Sequence, residues 1–367
     1  MKRRTFLTTG AKTGLAAGLA AGTGLAAPAI AQERIEWNMT MPWPKNAPGV
    51  GVNAVRFAEM VTAMSGGRLT IRTFGAGELV PPFEVLDAVS NNTAQLAHAT
   101  PYYWQGKAPA LNYFTTIPFG LSAWEMAAWL QMGDGKALWE EVYAPFGVTP
   151  FYAGNSGVQS GGWFNKEINS LDDLRGLKMR IAGVGGEVMR RLGVATVLTP
   201  PGEITPSLLS GAVDAAEWVG PWLDVAFGLP KAAKYYYVPA FHEPGPALEV
   251  IVNTEALAGL PADLQAIIAH AAQATSAITL SDFTWNNTKV FAEMAETFPE
   301  VELRSFPDEV IVEMGLKTKE VIEELAAKDP ITKKVHDSFV AYNDASMKYA
   351  SVFDLTALSQ RKLVVGG

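Results

Sequence analysis

Hydrophobic positions in the early part of the chain switch repeatedly between the spacing of a strand and the spacing of a helix. Residues 35–41 are strand-like and residues 69–74 alternate as a half-buried strand, while apolar side chains recur at helical spacing from Phe57 to Met64. Residues 94–100 are strand-like again. This β-α-β-α-β order predicts a sheet covered by helices.

A second unit with a similar order of elements starts near residue 150. Strand-like and helical segments alternate through it as far as residues 215–219, which we predict to be a strand. Residues 248–252 return to apolar, extended character and predict a strand that crosses back to the first unit. The pattern therefore predicts an α/β protein built from two units.

The pattern becomes helical after Pro261. Residues 262–297 contain neither proline nor glycine and predict one helix of about 54 Å. Small and apolar residues at helical spacing predict its packing face: Ile267, Ala271, Ala274 and Ile278. Two further helices are predicted at residues 308–328 and 331–358.

The first 31 residues have the features of an export signal. Residues 2–4 are basic, residues 10–27 are weakly apolar and rich in Gly and Ala, and residues 29–31 have the small-x-small form of a cleavage site. The run Arg3-Arg4-Thr5-Phe6-Leu7 resembles the twin-arginine motif. A membrane anchor is the alternative, and the Gly/Ala-rich composition followed by a cleavage site disfavours it.

Composition and charge exclude several classes of function. Removal of the signal takes away four of the 29 basic residues and none of the 37 acidic ones, so the formal charge falls from −8 to −12. Nucleic-acid binding is not expected, because no basic run follows the signal. The chain has no cysteine, which excludes disulfides, thiolate zinc sites, iron–sulfur clusters and cysteine nucleophiles.

The sequence contains no convincing catalytic motif. Gly183-Val184-Gly185-Gly186 follows a predicted strand, but Val188 occupies the third glycine position of a dinucleotide fingerprint, so a tight turn is the better interpretation. No Walker A, zincin, EF-hand or nucleophile-elbow pattern is present. The histidines are scattered along the chain, with no evident serine–carboxylate partnership: His98, His242, His270 and His336.

Arg180 is a charged residue inside an apolar predicted strand. An inward-facing guanidinium needs a partner, because an unpaired buried charge costs several kcal/mol. Its planar fork fits a ligand carboxylate. An internal ion pair with an Asp or Glu is the alternative, and the residues alone leave both open.

Glu217 and Trp218 lie near the end of another predicted strand, where ligands of α/β proteins collect. A carboxylate there would repel an anionic ligand, unless a hard cation held by oxygen atoms lies between them. A surface glutamate beside a packed tryptophan is the alternative. The aromatic run at residues 102–104 either forms a pocket wall or covers the edge of a core.

Taken together, these segments resemble the periplasmic solute-binding proteins of tripartite ATP-independent periplasmic (TRAP) transporters. The similarity is carried by residues 66–69, the arginine segment at 171–180, residues 211–218 and the long helix after Pro261. Residues 216–221 and the twin-arginine signal are similar to the branch that binds 2-oxo acids or lactate with a metal ion.

The resemblance implies an α/β, two-lobed periplasmic-binding-protein-like fold, with a long domain-spanning helix and C-terminal helices. Residues 32–153 together with 248–300 are then expected to form lobe I and the spanning helix, and residues 154–247 lobe II. Residues 301–367 would form a C-terminal helical region.

The resemblance also implies roles for individual residues. Arg180 would pair with the ligand carboxylate, and Asn155 and Tyr103 would donate hydrogen bonds to ligand oxygens. A cation, Na⁺ or Ca²⁺, would bridge protein and ligand. The matching positions at this cation are Gln159, Glu217 and the Trp218 backbone, with Glu243 as a further candidate.

The implied protein is a periplasmic receptor without catalytic activity. It would capture a small 2-oxo or 2-hydroxy monocarboxylate and deliver it to a TRAP membrane permease. A homodimer with exchanged C-terminal helices is implied, for which Val335, Phe339 and Tyr342 offer an apolar face. A ligand-presenting sensory module and an exported enzyme on a binding-protein scaffold are the alternatives.

Overall fold

The computed structural model describes residues 34–365, so the predicted signal at residues 1–31 lies outside the described part of the chain. The strands are β1 (Ile35–Thr40), β2 (Leu69–Phe74), β3 (Leu96–Ala99), β4 (Val148–Asn155), β5 (Gly162–Phe164), β6 (Lys178–Arg180), β7 (Ala195–Val197), β8 (Ala215–Ala216), β9 (Tyr235–Tyr237), β10 (Ala247–Asn253) and β11 (Glu302–Arg304). The α-helices are α1 (Val50–Met64), α2 (Val85–Ser90), α3 (Leu111–Thr115), α4 (Ala123–Met132), α5 (Gly135–Tyr143), α6 (Gly183–Arg191), α7 (Ile204–Leu209), α8 (Pro221–Ala226), α9 (Thr254–Ala258), α10 (Ala262–Thr297), α11 (Asp308–Ala326), α12 (Pro330–Val352) and α13 (Asp354–Val365). Among residues 34–365, none of these helices has both the length and the apolar character needed to cross a bilayer.

The strands form two sheets, which confirms the mixed α/β fold. The first sheet has the order β2-β1-β3-β10-β4, and the second has the order β11-β9-β5-β8-β6-β7. Strand β10 returns to the first sheet as predicted and runs antiparallel to both β3 and β4. Strand β11 pairs with β9 of the second sheet, although the sequence suggests only helices beyond residue 300.

Helix α10 has the predicted bounds and contacts both parts of the fold. Its Asp282 accepts a hydrogen bond from Asn53 of α1 at 3.1 Å, and its Asn287 accepts one from the backbone N–H of Trp222 in α8 at 2.9 Å. Helix α1 packs on the first sheet, and α8 follows β8 of the second. The long helix therefore spans the two lobes.

The buried face of α10 differs from the predicted one. Ala274 is exposed and Ile267 is only half-buried, while Thr275 and Thr279 are fully buried. The Thr275 hydroxyl donates to the carbonyl of Ala271 at 2.7 Å, which allows a polar side chain to face the core. Apolar spacing alone therefore placed the face incorrectly.

The C-terminal helical stretch is divided into α12 and α13, and the face predicted to need a partner is covered within the chain. Val335 and Phe339 are buried. The Phe339 ring packs edge-on against Tyr113 of α3 and Trp129 of α4, at 5.4 and 5.3 Å between centroids. The expectation that this face awaits a second subunit is therefore wrong for these two side chains.

Candidate ligand and cation site

Arg180 and Glu217 meet because β6 and β8 are parallel neighbours. Their register pairs Arg180 with Ala216, so the residue after β8 lies beside the guanidinium. Arg180 Nη1 donates to Glu217 Oε1 at 2.5 Å and to the Glu217 carbonyl at 2.9 Å. Both side chains are only 1% exposed. The internal ion pair that the sequence left open is therefore present.

The environment of Glu217 favours its ionised form. Burial by itself would raise the pKa of this carboxyl, but Arg180, then His242 and the backbone N–H of Ala182 outweigh burial and lower the pKa below its ordinary value. The Ala182 N–H donates to Oε1 at 2.9 Å, and His242 Nε2 lies 3.7 Å from Oε2. Glu217 therefore remains an acceptor with one oxygen, Oε2, directed away from Arg180.

The guanidinium of Arg180 keeps unused donor capacity. Among residues 34–365, its Nη2 makes only a long contact, 3.4 Å, with the carbonyl of Thr199, and its Nε has no hydrogen-bond partner. The guanidinium carbon lies 5.6 Å from the centre of the Trp218 ring. Arg180 can therefore donate hydrogen bonds to a second anion while it remains paired with Glu217.

A second buried carboxylate, Glu243, lies close to Glu217. Three potential metal-ligating atoms, one from each of Glu217, His242 and Glu243, lie within 4.8 Å of one another. Burial and the charge of Glu217 raise the pKa of Glu243 well above its ordinary value. Glu243 is therefore held in its protonated form, and a cation bound between the two carboxyl groups would favour its ionised form.

The oxygen atoms near this pair fit a hard cation. Three buried oxygens have no hydrogen-bond partner within the described part of the chain: Glu217 Oε2, Glu243 Oε1 and Gln159 Oε1. Carboxylate and amide oxygens are the donors that Na⁺ and Ca²⁺ prefer. The Gln159 amide nitrogen donates to Ser156 at 2.9 Å, which leaves its oxygen free to face a cation.

Residues from both lobes line a small cavity of about 30 Å³. Its polar lining includes Tyr103, Gln159 and Glu243, and its apolar lining includes Trp43 and Leu248. The other lining residues are Val50, Thr100, Tyr102, Ser156, Trp218, Val219 and Pro246. The structure thus brings Tyr103, Gln159, Trp218 and Glu243 to one cavity, beside the Arg180–Glu217 pair.

Asn155 lies outside the cavity lining, as do Arg180 and Glu217. It is fully buried at the end of β4. Its Nδ2 donates to the carbonyl of Gly245 at 3.0 Å, and its Oδ1 accepts from the N–H of Gly157 at 2.8 Å. The structure shows Asn155 bracing two loops, and its contact with a ligand stays a prediction.

His242 is the neighbour that sequence reasoning missed. In the sequence it is one of four histidines with no evident partner, but in the structure it is buried and its Nε2 lies 3.7 Å from Glu217 Oε2. The sequence does contain a signal for His242, because it is directly followed by Glu243, and two adjacent potential metal ligands indicate a metal site more strongly than a lone histidine does.

The glycine run predicted as a tight turn forms the first turn of α6, and its first residue permits close contact between the lobes. Gly183 has a φ of +61°, and a Cβ atom there would lie 2.6 Å from Cδ2 of Tyr102. Any larger residue would meet this ring of the other lobe.

Comparisons with known proteins agree with this architecture. The family model of bacterial extracellular solute-binding protein, family 7, matches residues 40–329. A monocarboxylate 2-oxoacid-binding periplasmic protein from a Nostoc species is 40% identical over 360 residues, covering 97% of this chain and 98% of the relative.

Two crystal structures of TRAP periplasmic solute-binding proteins are similar in fold, each with a TM-score of 0.87. The protein from Pseudoalteromonas atlantica, with bound sodium and pyruvate, is 37% identical and covers 89% of this chain and 99% of its own. The protein from Colwellia psychrerythraea, with bound calcium and pyruvate, is 38% identical and covers 89% of this chain and all of its own. The chain therefore belongs to bacterial extracellular solute-binding protein family 7, the solute-binding proteins of TRAP transporters.

Proposed function

We propose that this protein binds a small 2-oxo or 2-hydroxy monocarboxylate, such as pyruvate or lactate, together with Na⁺ or Ca²⁺. The observation that carries the proposal is the buried Arg180–Glu217 pair beside unpartnered oxygens of Gln159, Glu217 and Glu243. The relatives that hold pyruvate with sodium or calcium support the same ligand class.

Each residue has a distinct part in this proposal. The free donor capacity of Arg180 pairs with the ligand carboxylate, and Tyr103 donates a hydrogen bond to a ligand oxygen, with Asn155 as the second donor. Gln159, Glu217, Glu243 and the backbone of Trp218 hold the cation. When bound, the cation supplies positive charge between the carboxylates and the ligand oxygens.

The apolar wall of the cavity restricts the ligand to a short aliphatic substituent. Trp43, Val50 and Leu248 are buried or nearly so and offer no charged partner. A second carboxylate directed at this wall would be buried without a cation, at a cost of several kcal/mol. Dicarboxylates are therefore excluded in this proposal.

Binding without chemical change is part of the proposal. The protein is inferred to act in the periplasm, to capture its ligand and to deliver it to a TRAP membrane permease. We keep the predicted division of the chain, with residues 32–153 and 248–300 as lobe I, residues 154–247 as lobe II and residues 301–367 as the C-terminal region, except that strand β11 joins the second sheet. A sensory partner would be favoured over a permease only if ligand transfer to the membrane subunits did not occur.

A homodimer is also part of the proposal, with α13 and the end of α12 as its interface. Val352, Leu358 and Leu363 are more than half exposed, as are the neighbouring Phe353, Leu355, Val364 and Val365. Such an apolar surface is typical of an interface. Light scattering should show a dimer for the full chain and a monomer after deletion of residues 353–367, and a monomeric full chain would refute the dimer.

Titration calorimetry tests the main proposal. Pyruvate should bind the wild-type protein, affinity should fall after removal of Na⁺ and Ca²⁺, and 2-oxoglutarate should bind much more weakly. Equal binding of pyruvate with and without these ions would refute the role of the cation, and absence of pyruvate and lactate binding would refute the ligand class.

A further inference from the structure

A buried carboxylate outside the cavity contacts two of the three segments that carry the proposed cation ligands. Asp224, in the first turn of α8, has no exposed surface and accepts four hydrogen bonds. Its Oδ1 accepts from the backbone N–H of Val219 at 3.0 Å. Its Oδ2 accepts from Ser160 Oγ at 3.2 Å, Trp163 Nε1 at 2.9 Å and Tyr236 Oη at 3.2 Å.

Two of these donors directly follow residues assigned to the cation. Ser160 follows Gln159, and Val219 follows Trp218. The backbone N–H of Ser160 also donates to the carbonyl of Val219 at 2.9 Å. Asp224 therefore fixes the loop after β4 and the loop after β8 at a set separation from each other.

The other two donors hold the carboxylate from the side of the second sheet. Trp163 of β5 and Tyr236 of β9 are neighbours across the sheet, with stacked rings at 4.1 Å between centroids. An ionised carboxylate is suited to this position because all four neighbours are donors. An asparagine would turn an amide NH₂ toward donors and leave buried groups without an acceptor.

We propose that Asp224 is a positioning residue that sets the distance between the Gln159 side chain and the Trp218 backbone, and thereby the affinity for the cation. Asp224 is not among the residues that line the cavity, and its carboxylate oxygens accept hydrogen bonds from four protein donors. The inference rests on the proposed function, because it concerns the same cation site.

The test compares Asp224→Asn with Glu249→Gln. Glu249 of β10 is the matched control, because it is also fully buried and accepts a hydrogen bond, from Tyr143 at 2.8 Å, but lies in the first sheet. Calorimetric titration with CaCl₂ alone, and with NaCl alone, measures cation binding directly. Pyruvate is then titrated at limiting and at saturating cation.

We expect Asp224→Asn to raise the cation concentration for half-saturation at least tenfold, with pyruvate affinity largely recovered at saturating cation. Glu249→Gln should change neither the half-saturating cation concentration nor the pyruvate affinity more than twofold. Ser160→Ala removes a single donor and should raise the half-saturating cation concentration about threefold, so it tests the inference if Asp224→Asn does not fold.

The outcomes separate this inference from the proposed function. Equal cation affinity in wild type, Asp224→Asn and Ser160→Ala would overturn the positioning role and leave the proposed function intact. If Glu249→Gln lost as much cation affinity as Asp224→Asn, the positioning role would also be overturned, because general destabilisation would then be the cause. If wild-type protein binds no cation, the proposed cation site fails and the positioning role fails with it.

Discussion

Replacement of Gly183 by alanine should weaken ligand binding by obstructing the contact between the lobes. In the structure, the Cβ of such an alanine would lie 2.6 Å from Cδ2 of Tyr102. Carbon atoms pack at about 3.5–4.0 Å, so the ring or the turn would have to move by about 1 Å. Because the clash joins residues of the two lobes, separation of the lobes would relieve it, and we expect the variant to favour an open form.

The backbone cost of this substitution can be separated from the clash. Gly183 has a φ of +61°, where an alanine costs about 1–2 kcal/mol in any state of the folded protein. Gly176→Ala is the matched control, because Gly176 has a φ of +74° and no atom within 4 Å of the added Cβ. Both variants should therefore lose about the same free energy of unfolding.

Urea denaturation and pyruvate titration distinguish the two effects. We expect both variants to lower the free energy of unfolding by about 1–2 kcal/mol, measured without ligand. Only Gly183→Ala should lower pyruvate affinity, by tenfold or more, which is about 1.4 kcal/mol. If Gly183→Ala bound pyruvate as tightly as Gly176→Ala, the contact with Tyr102 would have no part in the ligand-bound form.

Three further predictions concern charge. Arg180→Met should reduce pyruvate affinity by about 2–4 kcal/mol in calorimetry, since a buried charged partner is lost. Arg190→Met is the control and should have no effect, because Arg190 is exposed. If Arg180→Met bound pyruvate as tightly as the wild type, Arg180 would not belong to the site. Glu217→Gln should lower pyruvate affinity and reduce its dependence on Na⁺ or Ca²⁺, and an unchanged ion dependence would contradict a cation beside this carboxylate. Burial lowers the pKa of His98 to about 4, so the native state binds fewer protons than the unfolded state between pH 4 and 6.5. As the pH falls from 7 to 4, the free energy of unfolding of the wild type should therefore fall by about 3 kcal/mol relative to that of His98→Leu, measured by urea titration. A difference that does not change with pH would refute the buried neutral histidine.

The sequence predicted those elements whose boundaries are marked by local chemistry. Helix α10 has the predicted bounds because no Gly or Pro interrupts it. Its buried face was not predicted, since Thr275 satisfies its hydroxyl within the helix and so behaves as a core residue. Strand β8 ends at Ala216, earlier than predicted, and the next residue is the Glu217 that pairs with Arg180.

Helices α3 to α5 had no clear signal. They are short, and they pack through large aromatic residues rather than through a regular stripe: Phe114 stacks on both Trp129 and Trp139, each at 5.5 Å between centroids. Such packing depends on contacts between separate helices, which periodicity within one helix does not reveal.

The sequence indicated Arg180 and Glu217 as individual residues, but it did not indicate which residues of the candidate site contact each other. Arg180 and Glu217 were both conspicuous, because charged side chains near the ends of apolar strands need partners. Their pairing follows from the adjacency of β6 and β8, which only the topology of the sheet provides. His242 reaches Glu217 from a distant segment of the chain for the same reason.

The depth of the Arg180–Glu217 pair has a kinetic consequence. Both side chains are 1% exposed, and Tyr102 of one lobe closes against Gly183 of the other. Separation of the lobes would widen the way out for a molecule held beside this pair. The residence time of a ligand then depends on this opening, so a partner that pulls the lobes apart would speed release without touching the ligand.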